Sequence, residues 1–185
     1  ELEIAQPPWR ELSSIAEAKA FAQEVSYPVL IRPSYVLGGQ GMRIAVKEEE
    51  LKRYVTRILK THPENAFLID KYLEHAIEVD VDSVYDGDQL HISGMMQHIE
   101  PAGVHSGDST AVLPPYSLSE EVMQTIRDHQ EKIADAMEIL GFLNVQYAVK
   151  DEKVYVLEAN PRTTRTVPFL AKANQVPEAA IGTKV

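Results

Sequence analysis

Toward the C-terminal end of the sequence a carboxylate, two amides and two arginines are spaced as a phosphate-handling site would need them. Residues 143–149 and 154–159 read as a hairpin around Asp151-Glu152-Lys153. If those three residues form the turn, Lys150 pairs with Val154 and Gln146 falls opposite Glu158. Asn160 lies two residues further along and so points to the same side. Hard oxygen donors with so little total charge suit Mg²⁺ (or Mn²⁺) whose shell is completed by water and substrate phosphates. Arg162 and Arg165 follow at once, three apart, a spacing suited to a phosphate or an acyl phosphate. The same residues also fit a solvated polar strand face flanked by surface salt-bridge arginines, and spacing alone leaves both readings open.

Two other segments carry chemistry-bearing residues. The loop over residues 34–41 contains Gly38, Gly39 and Gly41, whose missing Cβ atoms let backbone N–H groups approach phosphate oxygens; a simple hairpin tip is the alternative. It is not a Walker loop, because the following Lys and Ser or Thr are missing, nor a dinucleotide fingerprint. The stretch Gly103-Val104-His105-Ser106-Gly107-Asp108-Ser109 places one His among small polar residues, either as a hydrogen-bond donor to a ligand or as an exposed loop residue. Its Ser, His and Asp lie too close in sequence for triad geometry, and no G-x-S-x-G elbow occurs, so hydrolase chemistry is set aside. Glu78, Asp80 and Asp82 alternate on one strand face, as a second metal site would or as a solvent face would.

The elements that must position these residues can be read from periodicity. Ser14 and Glu17 form a capping box ahead of Ile15, Ala18, Ala22 and Val25, which predicts a helix over 14–25. Strands follow over 28–33 and 42–46, then an amphipathic helix over 48–60 and a strand over 66–72. The short link between the first two strands requires an antiparallel hairpin. Long alternating strands over 77–85 and 89–98 turn at Asp86-Gly87-Asp88. Residues 100–115 are polar and aperiodic, which suits a functional loop. A helix from Ser119 to about Leu140 leads into the last hairpin. The fold class is α+β, in two lobes: residues 1–72, smaller and carrying the glycine hairpin, and residues 73–185, carrying the metal-ligand candidates.

Composition narrows the function classes. Eighteen Lys+Arg against 28 Asp+Glu give a net charge of −10, which argues against nucleic acid or an anionic membrane as the main partner. The absence of cysteine excludes a disulfide scaffold, a zinc-thiolate site and a cysteine nucleophile. There is no apolar run long enough for a membrane span and no signal-peptide pattern, so a cytoplasmic location is expected. The opening without Met suggests a piece of a longer chain.

Taken together, the segments Arg32-Pro-Ser-Tyr-Val-Leu-Gly-Gly39, Glu78-Val-Asp-Val-Asp82, Gly103-Val-His-Ser-Gly-Asp-Ser109, Leu157-Glu-Ala-Asn-Pro-Arg162 and Arg165-Thr-Val-Pro-Phe169 closely resemble the ATP-grasp domain of the carbamoyl-phosphate synthase large subunit. The resemblance covers essentially the whole chain. His105 and its neighbours, followed by Leu113-Pro-Pro-Tyr116, resemble the C-terminal half, whose site phosphorylates carbamate. The resemblance implies an ATP-dependent ligase serving arginine and pyrimidine biosynthesis, with ATP, Mg²⁺ and carbamate at the site and the rest of the large subunit and a glutaminase small subunit as partners. It further implies that Arg32 holds ATP phosphates under the Gly38-Gly39 hairpin, that Lys71 and Leu73 line the adenine, and that Glu78 binds the ribose. Gly103, Val104, His105 and Ser106 would face the nucleotide; Gln146 and Glu158 would touch ATP and metal, and Asn160 would complete the metal shell. Arg162 and Arg165 would face the transferred phosphoryl group and carbamate. Gln40 stands where the family often has Arg, and Thr163-Thr164 where it often has small residues. A biotin carboxylase-type ATP-grasp ligase and a nucleotide-binding module without turnover are the alternatives.

Overall fold

The computed structural model describes residues 2–33, 41–61, 66–104 and 106–185. The chain divides into two compact units, Gln6–Glu74 and a second made of Glu1–Ala5 with His75–Val185. The N-terminal residues go with the second unit because Ala5 accepts a hydrogen bond from the Val156 N–H at 2.9 Å.

The first unit is a four-stranded antiparallel sheet with two helices. Its strands are β1 (Trp9–Leu12), β2 (Val29–Pro33), β3 (Arg43–Ala45) and β4 (Phe67–Lys71), in the order β1-β4-β2-β3. Helix α1 (Ile15–Val25) begins at the expected capping box, Ser14 accepting from the Glu17 N–H and Glu17 from the Ser14 N–H. Helix α2 (Glu48–Thr61) buries Leu51, Val55 and Ile58, spaced by four and three residues as one helix face requires. Together with Phe21, Val29, Ile31, Phe67 and Ile69 they form this unit's core. Each fully buried Leu, Ile or Phe contributes about 1.5–3 kcal/mol. Strand β1 is a departure from the expected order of elements. Three of its four residues are exposed, so it has no apolar alternation to read, and its pairing with β4 comes from backbone hydrogen bonds at a sheet edge.

The second unit is a five-stranded antiparallel sheet, β7-β6-β5-β8-β9. Its strands are β5 (Ile77–Tyr85), β6 (Leu90–His98), β7 (Ala111–Val112), β8 (Gly141–Lys150) and β9 (Lys153–Asn160). Helix α3 (Glu120–Ala136), capped by Ser119, covers one face; it ends at Met137, short of the expected Leu140. Val79 and Val81, Val145 and Tyr147, and Val154 and Val156 point into the core on that side. The core also holds a satisfied polar chain: the Tyr147 hydroxyl donates to Gln130 Oε1 at 2.8 Å, and Gln130 Nε2 donates to Ser83 Oγ at 2.8 Å. Two C-terminal helices, α4 (Val167–Asn174) and α5 (Glu178–Gly182), carry no sequence expectation because each is short. Among the described residues, no helix is long and apolar enough to cross a membrane.

Candidate functional site

The last hairpin reaches the expected pairing by an unexpected route. Its turn has two residues rather than three: Lys150 pairs with Lys153, and Asp151 and Glu152 both adopt positive φ, 50° and 61°. Two consecutive left-handed residues match the twist of the flanking strands. A bulge between Gln146 and Tyr147 on one side and Val156 and Glu158 on the other then adds a residue, and Gln146 falls opposite Glu158. The bulge also decides which way Glu158 points. Val154 and Val156 face the core, and unbroken alternation would send Glu158 after them. With Leu157 as the extra residue, Ala159 takes the core side, and Glu158 and Asn160 emerge on the other face.

That face carries a linked set of polar side chains. Asn160 Nδ2 donates to Glu158 Oε1 at 2.9 Å and reaches Asn144 Oδ1 at 3.5 Å. Asn144, buried, donates from Nδ2 to Asp80 Oδ1 at 2.6 Å and to Asp82 Oδ1 at 3.1 Å. Burial pushes the Asp80 carboxyl above its ordinary value; the Asn144 bond opposes this, and the nearby Asp82 charge adds to it. Glu78, Asp80 and Asp82 therefore do not form a solvent face: Asp80 and Asp82 are 6% and 2% exposed. His98 lies between the two carboxylates, its Nδ1 3.4 Å from Glu78 Oε2 without hydrogen-bond alignment and its Nε2 3.9 Å from Asp80 Oδ2.

The loop expected to face a ligand meets this surface. The Gly103 N–H donates to Glu78 Oε1 at 2.8 Å, and Val104 is 36% exposed. Ser106 Oγ accepts from Gln146 Nε2 at 3.5 Å and from Arg165 Nη2 at 3.3 Å. Gly107 permits the arginine's approach, because a Cβ there would collide with the Arg165 guanidinium. Arg162 and Arg165 are both exposed, and Arg162 donates to the Thr163 carbonyl at 3.3 Å. Gln146, Glu158, Asn160, Ser106 and Arg165 are thus gathered by the second unit into one linked surface.

Other expected site residues lie in the first unit or outside the described residues. Arg32 donates from Nε and Nη2 to the two Asp70 oxygens at 2.6 and 2.7 Å, a bidentate clamp. Lys71 Nζ donates to the carbonyls of Ser26 at 3.0 Å and Tyr27 at 3.2 Å, and Leu73 is half-buried. Gly38, Gly39, Gln40 and His105 lie outside the described residues.

Oxygen donors set the limits on a metal here. Among the described residues no three His, Asp or Glu side chains gather in a metal-holding group. Gln146, Glu158 and Asn160 offer one carboxylate and two amide oxygens, all hard donors. This set fits Mg²⁺ that takes most of its shell from water and phosphate, and it is too sparse to hold a bare ion by itself.

Comparison with known proteins decides the family. Residues 1–185 match the family described as carbamoyl-phosphate synthase L chain, ATP binding domain. The chain belongs to this family. It is 55% identical over 184 residues to the carbamoyl phosphate synthase large chain of Archaeoglobus fulgidus, covering all of this chain and 17% of that protein. It is 51% identical over 185 residues to the large chain, C-terminal section, of Aquifex aeolicus, covering all of this chain and 34% of that protein. The chain therefore spans about a sixth to a third of these relatives. Among solved structures, biotin carboxylase from Campylobacter jejuni aligns with a TM-score of 0.80 at 18% identity, over 100% of this chain and 43% of that one. D-alanyl-alanine synthetase A from Vibrio cholerae aligns with 0.75 at 17%, over 94% and 56%. These likenesses show the ATP-grasp fold, and the family supplies the ATP-binding assignment of the carbamoyl-phosphate synthase domain. Sequence reasoning missed the buried Asp80–Asn144–Asp82 cluster, because charged residues alternating on a strand ordinarily mark a solvent face.

Proposed function

We propose that this domain phosphorylates carbamate within a carbamoyl-phosphate synthase large chain, as an ATP-dependent ligase working with Mg²⁺ in the cytoplasm. The observation that carries the reading is the pairing of Gln146 with Glu158, which aligns the metal-ligand candidates on one face with Asn160 and links them through Ser106 to Arg165. The 51% identity to a C-terminal section in Aquifex aeolicus supports the carbamate-phosphorylating half.

In the reaction, a carbamate oxygen attacks the γ-phosphorus of ATP and the bond to the β,γ-bridging oxygen breaks, yielding carbamoyl phosphate and ADP. Such a transfer needs positioning and charge neutralisation, with no covalent enzyme intermediate. Glu158, Gln146 and Asn160 would hold Mg²⁺, which supplies positive charge against the phosphate oxygens when bound. Arg162 and Arg165 would orient the transferred group and carbamate, and their exposure leaves both guanidinium groups accessible to an incoming anion. Glu78 would take a ribose hydroxyl, and Gly103 to Ser106, including His105, would line the phosphates. On the same reading Arg32, Gly38 and Gly39 would contact the ATP phosphates, and Lys71 and Leu73 would border adenine. The rest of the large chain and a glutaminase subunit would supply the earlier steps.

The test is to offer the chain two substrate sets. With ADP and carbamoyl phosphate it should form ATP, and Arg162→Ala should abolish this. Bicarbonate-dependent synthesis of carbamoyl phosphate by this chain alone would overturn the assignment to one half-reaction.

A further inference from the structure

Arg162 and Arg165 sit on an irregular segment after β9, where long exposed side chains on a free backbone would lose much entropy on being positioned. The segment is nevertheless tied down. Thr164 and Thr166 flank Arg165, and both direct their hydroxyls to Asp82: Thr164 Oγ1 donates to Oδ1 at 2.8 Å, and Thr166 Oγ1 donates to Oδ2. Asn144 Nδ2 adds a third bond to Oδ1 at 3.1 Å, and Asp82 is 2% exposed. Thr166 occupies the N-cap position of α4 yet makes no capping hydrogen bond. A Thr at that position ordinarily caps with its hydroxyl, so its orientation toward Asp82 sacrifices a local bond for a tertiary one. Thr164 points at the same carboxylate. Asn144 then continues the chain of contacts to Asn160 at 3.5 Å.

We propose that Asp82 is the positioning residue of the arginine segment, holding the backbone on both sides of Arg165 and linking it through Asn144 to the metal-ligand candidates. A carboxylate suits this role because both of its oxygens accept, so two hydroxyls and an amide share one buried anchor. An Asn in its place has one acceptor oxygen and turns an N–H group toward one threonine. The inference rests on the proposed phosphoryl transfer at Arg165.

The experiment uses the full-length large chain with its partner subunit and measures ATP formation from ADP and carbamoyl phosphate. Asp82→Asn should lower kcat about tenfold or more while the KM for ADP changes less than about threefold, because misplacement of an orienting group acts on the reacting geometry. Combined with Arg165→Ala, it should add little further loss, since the residue it positions is already gone. Thr166→Val should lower kcat several-fold and Thr166→Ser should recover most of that loss, a pair that serves even if Asp82→Asn does not fold. Losses that multiply in the double variant, a KM for ADP that rises in step with the fall in kcat, or a Thr166→Ser enzyme as slow as Thr166→Val would overturn the proposal. An Arg165→Ala enzyme with unchanged kcat would instead remove the functional reading beneath it, and the positioning role with it.

Discussion

The two sheets treat alternation differently. In the four-stranded sheet every described ladder runs without a register shift, so Val29 and Ile31 on β2 and Phe67 and Ile69 on β4 all reach the core by simple alternation. In the five-stranded sheet two ladders shift, between Asp82 and Ser83 and between Gln146 and Tyr147. The candidate site lies beside those shifts. A bulge re-aims side chains, so a strand can bury its first half through one face and present polar groups from the other. The arginines differ in parallel. Arg32 is clamped directly by Asp70 in the regular sheet, whereas Arg165 is held through its neighbours' hydroxyls on Asp82.

Single-residue deletions should break this contrast most strongly. Removing Leu68 from β4 prevents Phe67 and Ile69, both fully buried, from facing the core together, and should cost several kcal/mol, at least about 3, or abolish folding. Removing Leu157 takes out only the half-buried bulge residue and leaves Gln146 opposite Glu158, so stability should change by less than about 1.5 kcal/mol. Urea denaturation of both variants decides it; equal losses would mean the bulge is not separable from the strand.

Next in size, Arg165→Ala should reduce phosphoryl transfer about 100-fold, by removing a cation from the developing charge, with the protein as stable as before. Steady-state kinetics alongside thermal unfolding would separate the two effects. Glu158→Gln, which removes the one carboxylate among the metal-ligand candidates, should weaken Mg-ATP binding about tenfold. Unchanged affinity by calorimetry in the folded variant would sink the metal assignment. Gly107→Ala should push the Arg165 guanidinium aside at little cost in stability, since a flexible side-chain end is what the new methyl meets. We expect a loss in kcat of about threefold to tenfold, and a wild-type rate would show that Arg165 need not rest there.

The smallest effect concerns Asp70. Burial holds its carboxyl above the ordinary value, against the opposing pull of the Arg32 hydrogen bonds. A carboxyl raised in the folded state contributes stability that is complete below the unfolded pKa of about 3.9 and is lost as pH rises through the folded value. Wild-type protein should therefore lose stability relative to Asp70→Asn between about pH 4 and neutrality. A difference that stays flat, or moves the other way, in denaturant titrations across that range would contradict the burial argument.

Much of this protein is written locally. The capping box at Ser14 and Glu17, the faces of α2 and α3, and the long strands β5 and β6 follow from residue type and period, since a helix turn or a strand pleat repeats over a few residues. The juxtaposition of Gln146 with Glu158 was legible too, although a two-residue turn and a bulge, rather than the expected three-residue turn, produce the offset. What tertiary structure alone decided is where the polar strand residues went. Asp80 and Asp82, with Glu78, read as a solvent face or a second metal site, yet both aspartates are buried because Asn144 comes from β8 and Thr164 and Thr166 from beyond β9 to satisfy them. No period within β5 encodes partners that lie more than 60 residues away in sequence. A buried carboxylate is stable only when such donors arrive, and their arrival depends on the sheet closing around it.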